Sequence, residues 1–162
     1  MKGHFTNIVI RPHWIQFLID KAGYILSLPV LAAIVLFVDN SYLRLAVLAL
    51  MAGVTIVIAY YVMYIVRMTY VITDEQLLFI HGVFTNSTDY IELYRVVDYR
   101  QNRTFMQQLT GLKTITIFSG DPNTPEMNII GVKEKVELVT EIRKRVEHNK
   151  QIKHIYEITN RF

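Results

Sequence analysis

Side chains able to do chemistry are thinly spread along this 162-residue chain. Of the five histidines, His4 and His13 precede the first apolar segment, His81 adjoins Gly82, and His148 and His154 lie near the end. None stands at the spacing from another His or a carboxylate that builds a zinc site. Glu92 and Asp98 are the nearest approach to paired carboxylates for acid–base work, but carboxylates on strands are ordinarily solvated or bonded to arginine. Ser119-Gly120 lacks the surroundings of a nucleophile elbow or a phosphate loop. With no cysteine there is no disulfide framework, thiolate metal site or thiol nucleophile. The residues point away from an enzyme, and no catalytic, cofactor-binding or metal-ligating position is assigned.

One positive concentration stands out: Arg95, Arg100, Arg103 and Lys113, with Tyr94 and Tyr99 interleaved. Beside an anionic lipid leaflet each such charge contributes roughly 1 kcal/mol of attraction, fading within about a Debye length. These four are candidate lipid-headgroup contacts. The plainer alternative is a solvated face balanced by Glu92 and Asp98. The net charge of +3 divides into +2 before Arg67 (Lys2, Arg11, Lys21 and Arg44 against Asp20 and Asp39) and +1 from Arg67 on. Neither part is basic enough to indicate nucleic acid.

The elements that must carry these residues fall into two halves. Residues 45–66 run without a charge; as a helix rising ~1.5 Å per residue they would reach about 33 Å, enough to cross a hydrocarbon layer. Residues 22–38 are also uncharged and extend backwards through Ile15 to Ile19, giving a first span over about 17–38 with Pro29 as an internal kink. A cleavable signal fits poorly: the leading region is long, no small-residue cleavage pattern follows, and a second apolar segment comes at once. Only residues 39–44 separate the segments, so they predict an antiparallel helical hairpin. Lys2, Arg11, Lys21 and Arg67 flank one side against Arg44 on the other, which places both termini in the cytoplasm. Ala46, Ala49, Ala52 and Gly53 offer small surfaces for close helix packing. The expected divisions are an N-terminal segment and two-helix transmembrane hairpin over 1–66, a cytoplasmic domain over 67–148 and a tail over 149–162.

From Met68 the pattern changes to alternation of period two. Strands are predicted at 70–73, 77–80, 83–93, 96–103, 113–118 and 127–130, the last ending at Gly131, with the polar stretch 102–110 between two of them. Val136, Val139, Ile142 and Val146 then mark one face of a helix, with Lys133/Glu137 and Glu141/Arg145 as pairs on its outside. In the tail, Ile152, Ile155, Tyr156 and Ile158 either prolong this helix or add a strand.

The order Tyr70-Val71-Ile72-Thr73-Asp74-Glu75-Gln76-Leu77, the Gly82 turn, Ile91-Glu92-Leu93, Val96-Val97-Asp98, Leu109-Thr110-Gly111, the Ile115/Ile117 strand and Gly131-Val132 resembles the bacterial pleckstrin-homology-like domain found behind a pair of membrane helices. The resemblance covers about residues 14–146. It implies a bent antiparallel sheet of roughly seven strands with a C-terminal capping helix, giving a membrane α-helical hairpin plus an α+β soluble domain. It also implies an interaction or assembly module, not a catalyst, with some relatives forming rings. The chain departs from the pattern where Gln107 and Gln108 stand in place of an arginine before the Leu-x-Gly turn, so no role of that arginine carries over.

The expected function is therefore a non-enzymatic scaffold anchored in the bacterial cytoplasmic membrane, contacting protein or lipid and self-assembling. The alternative is a subunit of an oligomeric channel or transport complex, or an accessory subunit of a membrane enzyme. The expected partners are the lipid bilayer, further copies of the chain and an unidentified protein.

Overall fold

A computed structural model describes residues 5–154. Among these residues seven strands form two antiparallel sheets. The first has the order β1 (Ile8–Ile10), β2 (Thr69–Ile72), β3 (Gln76–His81), β4 (Ser87–Glu92); the second has β5 (Val96–Asn102), β6 (Leu112–Ser119), β7 (Glu126–Lys133). Between β1 and β2 the chain makes α1 (Trp14–Asp20), α2 (Ala22–Phe37) and α3 (Ser41–Arg67). The helix α4 (Phe105–Thr110) joins β5 to β6, and α5 (Leu138–Ile152) follows β7.

The alternation seen in the sequence decides the inward residues. Tyr70, Ile72, Leu77, Ile91, Ile115, Ile117 and Ile129 meet Leu138, Ile142 and Val146 of α5 in one core. Burying each such side chain contributes about 1.5–3 kcal/mol before conformational entropy is counted. Tyr70 ties the sheets together as well, its hydroxyl donating to the Asn128 carbonyl at 2.8 Å.

Several expectations need correction. The segment assigned to the membrane half supplies β1, with Ile8 opposite Ile72 and Ile10 opposite Tyr70, so the hairpin is an insertion between two neighbouring strands. The first apolar segment is not one continuous helix over 17–38. It breaks at Lys21 with a bend of 64°, and α2 runs on through Pro29. The polar stretch 102–110 contains α4, because Thr104 and Gln107 form a capping box in which each side chain accepts from the other's backbone N–H. β7 continues through Gly131 to Lys133.

On α5 the inward face is Leu138, Ile142, Arg145, Val146 and Asn149, while Val136 precedes the helix and is exposed. Glu141 pairs with Lys144 at 2.9 Å, and Arg145 turns inside. The helix ends at Ile152, past the expected boundary at 148; Ile155, Tyr156 and Ile158 lie outside the described residues.

α3 has 27 residues and is apolar enough to cross a membrane, with none of its apolar stretch buried in the fold. α1 and α2 reach that threshold only when taken together. The hairpin turn is closed by Asn40, whose Oδ1 accepts from the N–H groups of Tyr42 at 2.9 Å and Leu43 at 3.2 Å, and by Arg44, which donates to the Val38 carbonyl at 3.1 Å.

Candidate functional site

The four basic residues do not converge on one point. Arg95 sits in a 3-10 turn (Leu93–Arg95) and pairs with Asp121 at 2.9 Å. Arg100, on β5, lies over the Phe118 ring with its guanidinium carbon 5.1 Å from the centroid. Arg103 pairs with the Glu134 carboxylate at the other end of that strand. Lys113 is only 5% exposed, and its ammonium donates to the Glu134 carbonyl at 3.0 Å. In this conformation Lys113 is a structural donor, not a surface for a headgroup.

Ala46, Ala49, Ala52 and Gly53 all lie on exposed positions of α3, whereas Val47, Met51, Val54 and Ile58 are partly covered. A Cβ added at Gly53 would meet nothing within 4 Å. The small residues therefore do not make the packing of α3 on α2; they face outward.

What the structure does bring together is a junction where α3 leaves the hairpin and enters the sheets. Tyr64 Oη lies 3.3 Å from His81 Nδ1, and His81 Nε2 lies 3.1 Å from Asp89 Oδ2, linking α3, β3 and β4. Phe79 stacks on His81 at 4.4 Å and on Tyr70 at 4.7 Å. Arg67 donates to the Val83 carbonyl at 2.9 Å, fixing the β3–β4 turn against the end of α3. A cleft of 340 Å³ opens beside this junction, with Asp89 and Glu126 among its polar lining and Met68, Phe79 and Met127 among its apolar lining.

On another side of α3, α1 packs through a polar chain. Gln16 donates to Asp20 at 2.8 Å and accepts from Gln107 at 2.9 Å, and Gln107 donates also to Thr114 at 2.8 Å. Both glutamines are buried. The neutral Gln107, in the neighbourhood where the resemblance would place an arginine, thus joins α1, α4 and β6. Gly131 lets α1 come this close: its φ is +64°, and an added Cβ would sit 3.0 Å from both Gln16 Cβ and His13 N.

The strongest polar anchor is one that sequence reasoning placed outside. Arg145 is 2% exposed and donates to the carbonyls of Ile72 at 3.1 Å, Thr73 at 3.0 Å and Thr6 at 2.6 Å. Asn149, one turn later, donates to the Asp74 carbonyl at 2.6 Å. A polar pair at i and i+4 on the face that continues Leu138 and Ile142 was the available signal.

Among the described residues no group of three His, Asp or Glu side chains is placed to hold a metal ion. A family model described as Bacterial PH domain matches residues 23–146. No curated protein and no solved structure matches the chain.

Proposed function

Because the chain belongs to the bacterial PH domain family, we propose that it is a non-enzymatic interaction module held at the cytoplasmic face of a bacterial membrane by the α2–α3 hairpin. The observation that carries this reading is the place of the hairpin in the fold. An apolar helix of 27 residues, unburied by its own fold, passes into β2 through Met68 alone, and β1, one of the two strands paired with β2, comes from the hairpin's other end. A hairpin crossing the bilayer would hold the sheets at two points, so the module would keep one face toward the lipid and raise its local concentration there.

Contact with a protein partner is proposed at the open edges. Among the described residues β4 and β5 each have a single strand neighbour, and residues 87–90 of β4 are exposed. Such edges accept an added strand through backbone hydrogen bonds. The outward small-residue face of α3 is the proposed contact between copies within the membrane. The experiment is extraction of full-length protein from membranes with alkaline carbonate, followed by native mass spectrometry in mild detergent. The reading expects retention in the lipid pellet and a mass above one chain. Release into the supernatant would overturn the anchor, and a monomer at all detergent concentrations would overturn the self-association.

A further inference from the structure

The tip of the β3–β4 turn carries a large apolar side chain where turns usually carry polar ones. Phe84 is 90% exposed, although its neighbour Val83 is buried. Its height relative to the hairpin is fixed. The Phe84 ring stacks on Tyr60 at 6.4 Å with 26° between planes, and the Val83 carbonyl accepts from Arg67. From Tyr60 to Arg67 an α-helix rises about 10 Å. The tip thus reaches back along α3, past the point where the chain leaves for the sheets, to the level of the Tyr60–Tyr64 aromatic band.

A second apolar surface lies on a different face of α3. Tyr61 and Ile65 line a cavity of 140 Å³ with Phe17 and Lys21 at the end of α1. The 64° bend makes α1 closer to perpendicular than to collinear with α2, the attitude of a helix lying in a membrane surface. Trp14 and Leu18, one turn apart on α1, are both exposed, Trp14 to 63%. At the same end, the Lys21 ammonium sits 3.6 Å over the Tyr61 ring, a cation and a phenol together at a height suited to lipid headgroups.

We infer that Phe84 and the Trp14/Leu18 face of α1 are seated in the headgroup–acyl boundary of the same bilayer that the hairpin crosses. They seat the sheets there from two sides and prevent rotation about the hairpin. The ligand is the lipid interface as such, not a particular headgroup, because the inserted groups are apolar and interfacial helices and loops bury about 5–10 Å into this layer. The inference rests on the membrane-anchor reading above, and its occupant follows from continuity with α2 and α3: both surfaces are tied to helix positions inside or next to the spans.

The chain has one tryptophan, so its fluorescence reports Trp14 alone. The full-length protein is reconstituted in phosphatidylethanolamine/phosphatidylglycerol vesicles containing lipids brominated either near the headgroup or near the chain ends. Trp14 is expected to show blue-shifted emission and to lose intensity to the shallow label more than to the deep one. In a Trp14→Phe background, Phe84→Trp is expected to behave likewise. Glu75→Trp, exposed at the opposite end of β3 from the tip, is expected to lose none, and Leu50→Trp within α3 is expected to lose most to the deep label. If Leu50→Trp is not quenched, the anchor itself fails and this inference with it. If Leu50→Trp is quenched and Phe84→Trp and Trp14 behave like Glu75→Trp, the anchor stands and the seating is overturned.

Discussion

At the scale of single residues, buried polar groups separate positions that hold the fold from positions that only decorate it. Arg145 satisfies three backbone carbonyls from two distant parts of the chain, one before β1 and two at the end of β2. Hydrogen bonds from a charged donor contribute about 1.5–3 kcal/mol each, and their loss leaves buried acceptors unpaired. Arg145→Ala is expected to destabilise the domain by on the order of 3 kcal/mol or more, read as a lowered thermal midpoint in detergent.

Tyr99 presents the opposite case. Among the described residues its buried hydroxyl has no hydrogen-bond partner, so Tyr99→Phe is expected to leave stability at neutral pH unchanged or raised by up to about 1 kcal/mol.

Burial also pushes the Tyr99 phenol up to about 12, and burial pushes Tyr70 up further. Both phenols keep their protons longer in the folded protein than in the unfolded chain, where the value is near 10. Their contribution is therefore complete below about pH 10 and is lost as pH rises through the folded values. Alkaline titration of the thermal midpoint should fall in this window, and Tyr99→Phe should make the fall shallower. An equal slope in the two proteins would remove Tyr99 as a cause.

At the scale of elements, the central feature is that β1 and α1 belong with the sheets although about 50 residues of hairpin separate them from β2. Without β1, β2 loses a partner along Tyr70–Ile72, and without α1 the Gln107 amide loses Gln16. A fragment of residues 67–154 is therefore expected to aggregate. A protein in which residues 22–67 are replaced by a short Gly/Ser linker should give a monomeric β-rich domain by size exclusion and circular dichroism, because Lys21 and Met68 border the same cavity. If both fragments behave alike, β1 and α1 are dispensable.

Close approach at Gly131 makes a finer test of the same element. Gly131→Ala is expected to cost about 1–3 kcal/mol through its positive φ and its contact with α1. It should also speed proteolysis within α1 relative to the sheets.

These elements also mark how far the sequence could be read. Alternation at Tyr70 and Ile72 and at Ile115 and Ile117 stands out because these side chains all enter the core, so β2 and β6 were legible. β1 was not: three residues, Ile8, Val9 and Ile10, carry too short a pattern, and their partner lies beyond the whole hairpin. α4 was hidden by polar side chains, though its Thr104-x-x-Gln107 cap was present in the sequence. Arg145 and Lys113 were read as surface because a charged side chain is usually solvated; only the backbone carbonyls that receive them, contributed by distant segments, bring them inside. Of the candidate site, the stacking of Phe84 on Tyr60 was not legible, because it depends on where the β3–β4 turn falls against α3.

At the scale of the whole molecule, the two halves are one mechanical unit. The Tyr64–His81–Asp89 chain, the Arg67–Val83 bond and the Gln16–Gln107 bond each cross from the hairpin side to the sheets. A force or partner acting on α3 would therefore be felt at β3 and β4 without passing through a flexible linker.

The absence of native cysteine allows the central claim to be tested directly with single cysteines in the full-length chain, one in the hairpin turn (Ser41→Cys) and one on the exposed edge (Thr88→Cys). The account predicts that a membrane-impermeant maleimide added to intact cells labels Ser41→Cys and spares Thr88→Cys, which reacts only after lysis. Labelling of both, or of neither, before lysis would contradict a hairpin that crosses the membrane with the sheets on its inner side.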